Sequence, residues 1–258
     1  MRVPVLLIGR GGSRGVKGKN TMEILGRPLM EYPIMAAKNS RNVGDIFLST
    51  DAEYIKEVGR KHNLIIMDRD PELCKDSALV EDVVINGYNQ ICDRIGEQEI
   101  FVLLFCNTAT ITPGLIDKGI EALAQDETLD SAVSVSLYNE YSPVRAKALD
   151  ENGYLIPFGD VDSIENASCD RDSAKACYFC DCSVWVLRKR CMDKAYGIQP
   201  FRWMGRKTLP LFQEGGLDID HDYGIAQTEY WLRKHGFSAD KTPYDGMENE
   251  MWADRGIL

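Results

Sequence analysis

The stretch LLIGRGGSRGVKGKN, Leu6–Asn20, decides how the rest of the chain is read. Its first residues close an apolar run, Val3–Ile8, that reads as a buried strand. The glycines that follow are poor in strands and helices, so their concentration calls for a local reason. Backbone N–H groups at Gly11, Gly12 and Ser13 form a run free of side-chain obstruction, able to nest a polyphosphate, with Arg10 and Lys19 to neutralise its charge. Two common phosphate-loop patterns do not fit. GxxxxGK[ST] needs a hydroxyl residue after the lysine, where Asn20 stands, and GxGxxG needs a helix to open at once. The plain alternative is a surface loop rich in cations.

The 258-residue chain carries a formal net charge of −10, which argues against broad adhesion to nucleic acid or an anionic membrane. An acidic protein that binds an anion must gather its cations locally, and Arg10, Arg14, Lys17 and Lys19 do so within one loop. No run approaches a membrane span, and the opening apolar run is too short for a secretory core, so the eight cysteines are expected as thiols in a reducing cytoplasm. Cys177, Cys180 and Cys182 are close enough to suggest a metal but lack paired zinc knuckles. On a strand, Cys180, Cys182, Val184 and Val186 would share one face with Cys177 off it, which makes core thiols the expectation.

Apolar β-rich runs alternate with segments of helical period. Strands are expected at Val3–Ile8, Asp45–Ser49, Leu64–Met67, Ile100–Phe105, Ser131–Val135 and Tyr178–Leu187. Helices are expected at Pro28–Asn39, Ala52–His62, Val80–Ile95 and Pro113–Gln125, the third with Val83, Val84, Gly87, Tyr88 and Ile91 on its inner stripe. This alternation implies an α/β fold with a mainly parallel sheet covered on both faces. Ligands of such sheets bind at the carboxyl ends of the strands, where Arg10, Asp51, Arg69 and Asn107 fall. Residues 138–176 read as an irregular or β-rich insertion, and a final helix ends at Gly236. The expected organisation is one catalytic domain, 1–236, followed by a tail, 237–258.

A second cluster is LDIDHDYG. Asp218 and Asp220 alternate across Ile219, so on a short strand both carboxylates project to one side, a spacing that suits Mg²⁺. A lone DxD is more often a cap or a solvated turn. Beside a triphosphate loop it gains meaning, because one piece holds phosphates and the other the metal they bring. His221 adjoins this acidic turn.

The order RGGSRG-x(3)-KN, STD at Ser49–Asp51, RDPEL-x(2)-DS at Arg69–Ser77 and DID at Asp218–Asp220 resembles the cytidylyltransferases that activate acidic sugars, the CMP-N-acetylneuraminate synthetases and their legionaminate and pseudaminate counterparts. The resemblance covers about residues 3–235. It implies a three-layer α/β/α Rossmann-like nucleotidyltransferase fold, CTP and an acidic sugar as substrates, Mg²⁺ as cofactor, and a homodimer formed through the insertion. By the resemblance Arg10, Gly11, Gly12, Ser13, Lys19, Asn20, Arg69, Asp76 and Ser77 would bind CTP, with Asn20 and Arg69 at the cytosine. Asp218 and Asp220 would hold the metal, and together with Arg10 and Lys19 would carry catalysis. Asn107, Thr108, Arg145, Arg171 and Asp181 would meet the acceptor.

Two departures stand out. Where the family carries Q-P-T-S-P-L-R, this chain has FCNTATIT at Phe105–Thr112 and loses the arginine. Where the family has F-R-P-N-G-A, it has YFCDCS, so Phe179 replaces an arginine and Asp181 an asparagine. Bidentate arginine recognition of a carboxylate is not easily replaced. The expected acceptor therefore stays open among nonulosonic acids, keto-deoxy-octulosonate-like sugars and phosphonates, with a CTP-binding module lacking turnover as a further alternative.

Overall fold

Val3–Ile8 (β1) is apolar at successive positions because both of its faces are covered, and every residue of it is buried. In the computed structural model, which describes residues 1–12, 15–160, 168–171 and 175–245, the chain continues through a small hairpin, β2 (Glu23–Ile24) and β3 (Arg27–Pro28). Next come α1 (Glu31–Lys38), β4 (Val43–Thr50), α2 (Glu53–Lys61), β5 (Ile65–Asp68), α3 (Val80–Ile95), β6 (Ile100–Phe105), α4 (Pro113–Gln125) and β7 (Ser131–Leu137). A second hairpin, β8 (Lys147–Leu149) with β9 (Leu155–Pro157), lies in the expected insertion; β10 (Tyr178–Arg188), β11 (Thr208–Gln213) and α5 (Asp222–Lys234) follow.

The main sheet has seven strands in the order β11-β7-β10-β6-β1-β4-β5. β4 and β6 flank β1 in parallel, β5 extends β4 and β11 extends β7 in parallel, and β10 alone runs against its neighbours β6 and β7. One face packs Val5, Leu7, Leu48, Val102 and Leu104 against α1, α2 and α4, and the other packs Leu6, Ile8, Phe101 and Leu103 against α3. The three-layer α/β/α arrangement is the expected one, and the buried residues of α3 are the expected stripe. A third cluster joins Ile24, Leu29 and Tyr32 to Ile219, Trp231, Leu232, Phe237 and Tyr244, so residues 237–245 dock on the domain. Residues 246–258 of the tail lie outside the described residues.

Four local readings are corrected. The helix expected from Pro28 starts at Glu31, because Leu25 and Gly26 take positive φ (49° and 73°) and fold residues 23–28 into a hairpin instead. The short strand expected at Asp218–Asp220 is absent and the segment joins no ladder, bending at Asp220; Ile219 N–H donates to Asn107 C=O at 3.0 Å. β11 went unread because Pro210 interrupts a short run, which an edge strand tolerates. Finally, Cys180 and Cys182 do not share a face with Val184 and Val186. The β10–β7 register breaks between Cys180 and Trp185, Cys182 adopts φ 61°, and both thiols pack on the α3 side with Trp185. A bulge of this kind re-aims side chains. Among the described residues no His, Cys, Asp and Glu cluster of three or more is arranged to hold a metal, and no helix is long and apolar enough to cross a membrane.

Candidate active site

The opening loop crosses the carboxyl ends of β1, β4 and β6. Gly9 permits the first close approach, since a Cβ there would lie 2.6 Å from Cys106 Sγ. Gly11 N–H donates to Asp51 Oδ1 at 2.8 Å, and Gly11 C=O accepts from Tyr54 OH at 2.8 Å. This amide is therefore engaged by a carboxylate of the neighbouring strand end rather than open to an anion, whereas Gly12 has open space around it. Ser13 and Arg14 lie outside the described residues. The buried Asn20 sits on a single 3-10 turn, Lys19–Thr21, and donates from Nδ2 to Arg10 C=O at 2.9 Å. Arg69 is buried beside it, donating from Nη2 to Ser49 C=O at 2.8 Å and Gly9 C=O at 3.3 Å, and burial pushes its guanidinium below the ordinary value. Arg10 Nη1 pairs with Asp76 Oδ1 at 2.6 Å.

The acidic segment comes to this loop from about two hundred residues away. Lys19 Nζ donates to Ile219 C=O at 2.8 Å and to Asp220 Oδ1 at 2.5 Å. Gly15 makes the approach possible, because a Cβ there would stand 2.2 Å from the Asp220 carbonyl oxygen. Ile219 is fully buried in the third cluster, so its neighbours Asp218 and Asp220 turn to the opposite side without any ladder to hold them. Asp218 Oδ2 accepts from Asn107 Nδ2 at 3.0 Å. Burial, then the Asp220 charge, push the Asp218 carboxyl above its ordinary value, against the opposing pull of Lys19 and the Asn107 bond. The cleft thus holds a pair of oxygen-donor carboxylates that the protein's own cations only partly compensate.

These groups line one cleft of about 590 Å³, to which Arg10, Asn20, Lys19, Arg69, Asp76, Asn107, Asp218 and Asp220 all contribute, with His221 at its side. The remaining sequence candidates do not line it. Ser77 is exposed between two lining residues, and Thr108 is buried with its hydroxyl unpartnered. Arg145 and Arg171 are exposed on the insertion. Asp181, expected at the acceptor, is only 4% exposed, with its carboxylate taken up inside the sheet by Ser134, Ser136 and Gln213.

The other wall of the cleft was not read from the sequence. Phe105, Trp185, Phe201 and Trp203 form it, with Trp185 at 5.5 Å from Phe201 and 5.8 Å from Trp203 between ring centroids. The available signal was the basic, aromatic stretch QPFRWMG, but strand period alone left Trp185 indistinguishable from core.

Chains of this shape form a known structural class. A solved structure of CMP:2-keto-3-deoxy-manno-octonic acid synthetase complexed with CTP superposes with a TM-score of 0.64, covering 91% of this chain and 99% of that one at 13% identity, a likeness of fold. The chain belongs to the cytidylyltransferase family, whose model matches residues 5–152, more than half of its length. It is 32% identical over 244 residues to the N-acylneuraminate cytidylyltransferase of Oncorhynchus mykiss, covering 93% of this chain and 52% of that protein. It is 28% identical over 158 residues to the pseudaminic acid cytidylyltransferase of Campylobacter jejuni subsp. jejuni serotype O:2, covering 58% of this chain and 65% of that protein. The matched part of this chain therefore spans less than two thirds of either relative's own length.

Proposed function

We propose that this protein transfers a cytidylyl group from CTP to an acidic sugar of the N-acylneuraminate or pseudaminate type, releasing pyrophosphate. The observation that carries the reading is Lys19, one ammonium bonded to both Ile219 and Asp220, which joins the cationic opening loop to the carboxylate pair in a single cleft. CTP lies over the opening loop with its base toward Asn20 and Arg69, and Arg10 and Lys19 neutralise its phosphates. An acceptor hydroxyl oxygen attacks the α-phosphorus in line, the bond to the β-phosphate breaks, pyrophosphate leaves toward Arg10 and Lys19, and the hydroxyl proton passes to solvent. Asp218 and Asp220 fit a hard divalent ion: they supply two oxygen donors with incomplete compensation, and water and phosphate oxygens complete such a set. Mg²⁺ held there would supply charge neutralisation of the phosphate oxygens. The protein's own part is positioning and electrostatic stabilisation, with no covalent intermediate. Phe105 and Phe201, the half-buried rings of the aromatic wall, offer apolar surface to acyl or methyl groups on the acceptor.

The test is pyrophosphate release from each of the four nucleoside triphosphates, with Mg²⁺ and a panel of nine-carbon, eight-carbon and phosphonate acids. Release confined to CTP with a nine-carbon acid supports the reading; release with another nucleotide, or none with any acceptor, ends it. A second copy of the chain is the proposed partner. Leu137, Tyr141, Leu149, Tyr154, Leu155, Phe158, Tyr178 and Phe212 are exposed large apolar residues concentrated on or beside the insertion, a density that suits an interface. Light scattering that gives a monomer at micromolar concentration would remove that part. The eight free thiols support a reducing compartment such as the cytoplasm.

A further inference from the structure

The two residues that lead into Asp218 have every backbone polar group held. Gly216 N–H donates to Ser136 Oγ at 2.9 Å, and Gly216 C=O accepts from Tyr138 OH at 2.8 Å. Leu217 N–H donates to Thr110 Oγ1 at 2.9 Å, and that hydroxyl donates to Leu217 C=O at 3.0 Å. Because the one Thr110 proton is used on Leu217, Ser183 is the donor in the 3.2 Å contact between the two hydroxyls. Ser183 Oγ in turn accepts from Gln213 Nε2 at 2.8 Å.

Both branches end on one carboxylate. Ser136 Oγ donates to Asp181 Oδ2 at 2.8 Å, Gln213 Nε2 to the same oxygen at 2.9 Å, and Ser134 Oγ to Oδ1 at 2.5 Å. The β10 bulge creates this arrangement. Where the ladder to β7 is interrupted, Val184 N–H bonds Ser134 Oγ at 2.8 Å instead of a carbonyl, and the Asp181 side chain turns into the gap. The fit leaves no spare room, since a Cβ on Gly216 would lie 2.4 Å from Asp181 Oδ2. Beyond Leu217, among the described residues the segment is tied by the Asn107 bonds and by Lys19, which belong to the cleft itself.

We infer that Asp181 is a positioning residue that orients Asp218 through Ser136 and through Gln213, Ser183 and Thr110, without touching substrate. This rests on the reading of Asp218 as part of the metal and phosphate site. It also explains how a carboxylate can stand where an acceptor contact was expected: the side chain has exchanged contact with the ligand for control of the segment that meets it. Buried partners that orient a metal-binding carboxylate commonly govern affinity and rate by about 10- to 100-fold.

The test compares wild type with Asp181→Asn, which keeps size but sets an NH₂ group among donors, and with Ser136→Ala, which cuts the shorter branch while leaving Asp181 in place. Three quantities are read: Mg²⁺ affinity of the CTP-bound protein by calorimetry, steady-state constants with N-acetylneuraminate as probe acceptor, and amide exchange at 216–218. Both variants should weaken Mg²⁺ binding and lower kcat by about tenfold or more, leave the acceptor KM within about twofold, and speed exchange at Gly216 and Leu217. The double variant should lose less than the sum of the two single losses, because Ser136 is one of the two branches that end on Asp181. A raised acceptor KM at unchanged Mg²⁺ affinity would make Asp181 an acceptor contact and overturn the inference. So would a lowered melting temperature with unchanged constants per folded molecule, or unaltered exchange at 216–218. Should the wild type release no pyrophosphate from CTP, the functional reading fails, while the exchange measurement still decides whether Asp181 holds the segment.

Discussion

Two carboxylates at opposite ends of the sheet sit in opposite electrostatic surroundings. Asp130 precedes β7 at its amino end and is 1% exposed. It accepts from Arg190 Nε at 2.5 Å, Tyr196 OH at 3.0 Å, and the amides of Arg206 at 2.7 Å and Lys207 at 2.8 Å. Burial pushes its pKa up, but those donors outweigh it and hold the carboxyl below the ordinary range. Asp218 stands at the carboxyl end, with Asn107 as its side-chain donor and a like charge beside it, and its carboxyl is held above that range. The residue type is the same and the balance is opposite. A carboxylate satisfied within the fold stabilises the fold; one left partly uncompensated at a cleft is a candidate for the proposed cation site.

The comparison is broken most severely at the cleft. Lys19→Ala and Asp218→Asn should each lower turnover by about a hundredfold or more, the scale of losing one oriented charge-stabilising group, with melting temperatures close to wild type. Retained pyrophosphate release in both would remove the site assignment. At the other end, Asp130→Asn should destabilise the protein by about 2–4 kcal/mol in denaturant titrations, since several buried donors lose a charged acceptor. Its turnover per folded molecule should stay unchanged. The sign of the pH effect follows from the depressed pKa. The stabilisation is present above the ordinary value of 3.8 and is lost as pH falls through the lower folded value, so the gap between wild type and variant should close in acid. A gap that stays constant down to pH 2 would contradict it.

Smaller effects sharpen the picture. Gly15→Ala must displace either the loop or the Asp220 carbonyl, and should cost about tenfold in turnover with little loss of stability. Cys182→Gly relieves a left-handed conformation at φ 61° and should change stability by no more than about 1 kcal/mol in the stabilising direction, offset by lost packing in the cleft wall. A strongly destabilised Cys182→Gly would mean that the thiol's contacts outweigh its backbone strain.

Much of the fold is legible because its signals are local. β1, β6, α3 and α4 match their expected bounds to the residue, since a doubly covered strand reads as a continuous apolar run and an amphipathic helix as a stripe. Where the reading failed, the deciding contact was distant or the departure was one residue long. The Pro28 helix yielded to a two-residue hairpin turn, and the face of Cys180 and Cys182 was reversed by one bulge. A period-two argument carries no warning of a bulge, because one extra residue flips every side chain beyond it.

The site divides the same way. From the sequence alone came the cationic loop, the DID pair and the inference that they must meet, because charge pattern, glycine spacing and side-chain chemistry are properties of a linear string. Tertiary structure alone decided that Asp51 occupies the Gly11 amide, that four aromatic rings wall the cleft, and that Asp181, expected at the acceptor, is buried with its carboxylate bonded to Ser134, Ser136 and Gln213. Which partner a polar group finds is settled by what the folded chain brings within 3 Å of it. No spacing along the chain records that distance.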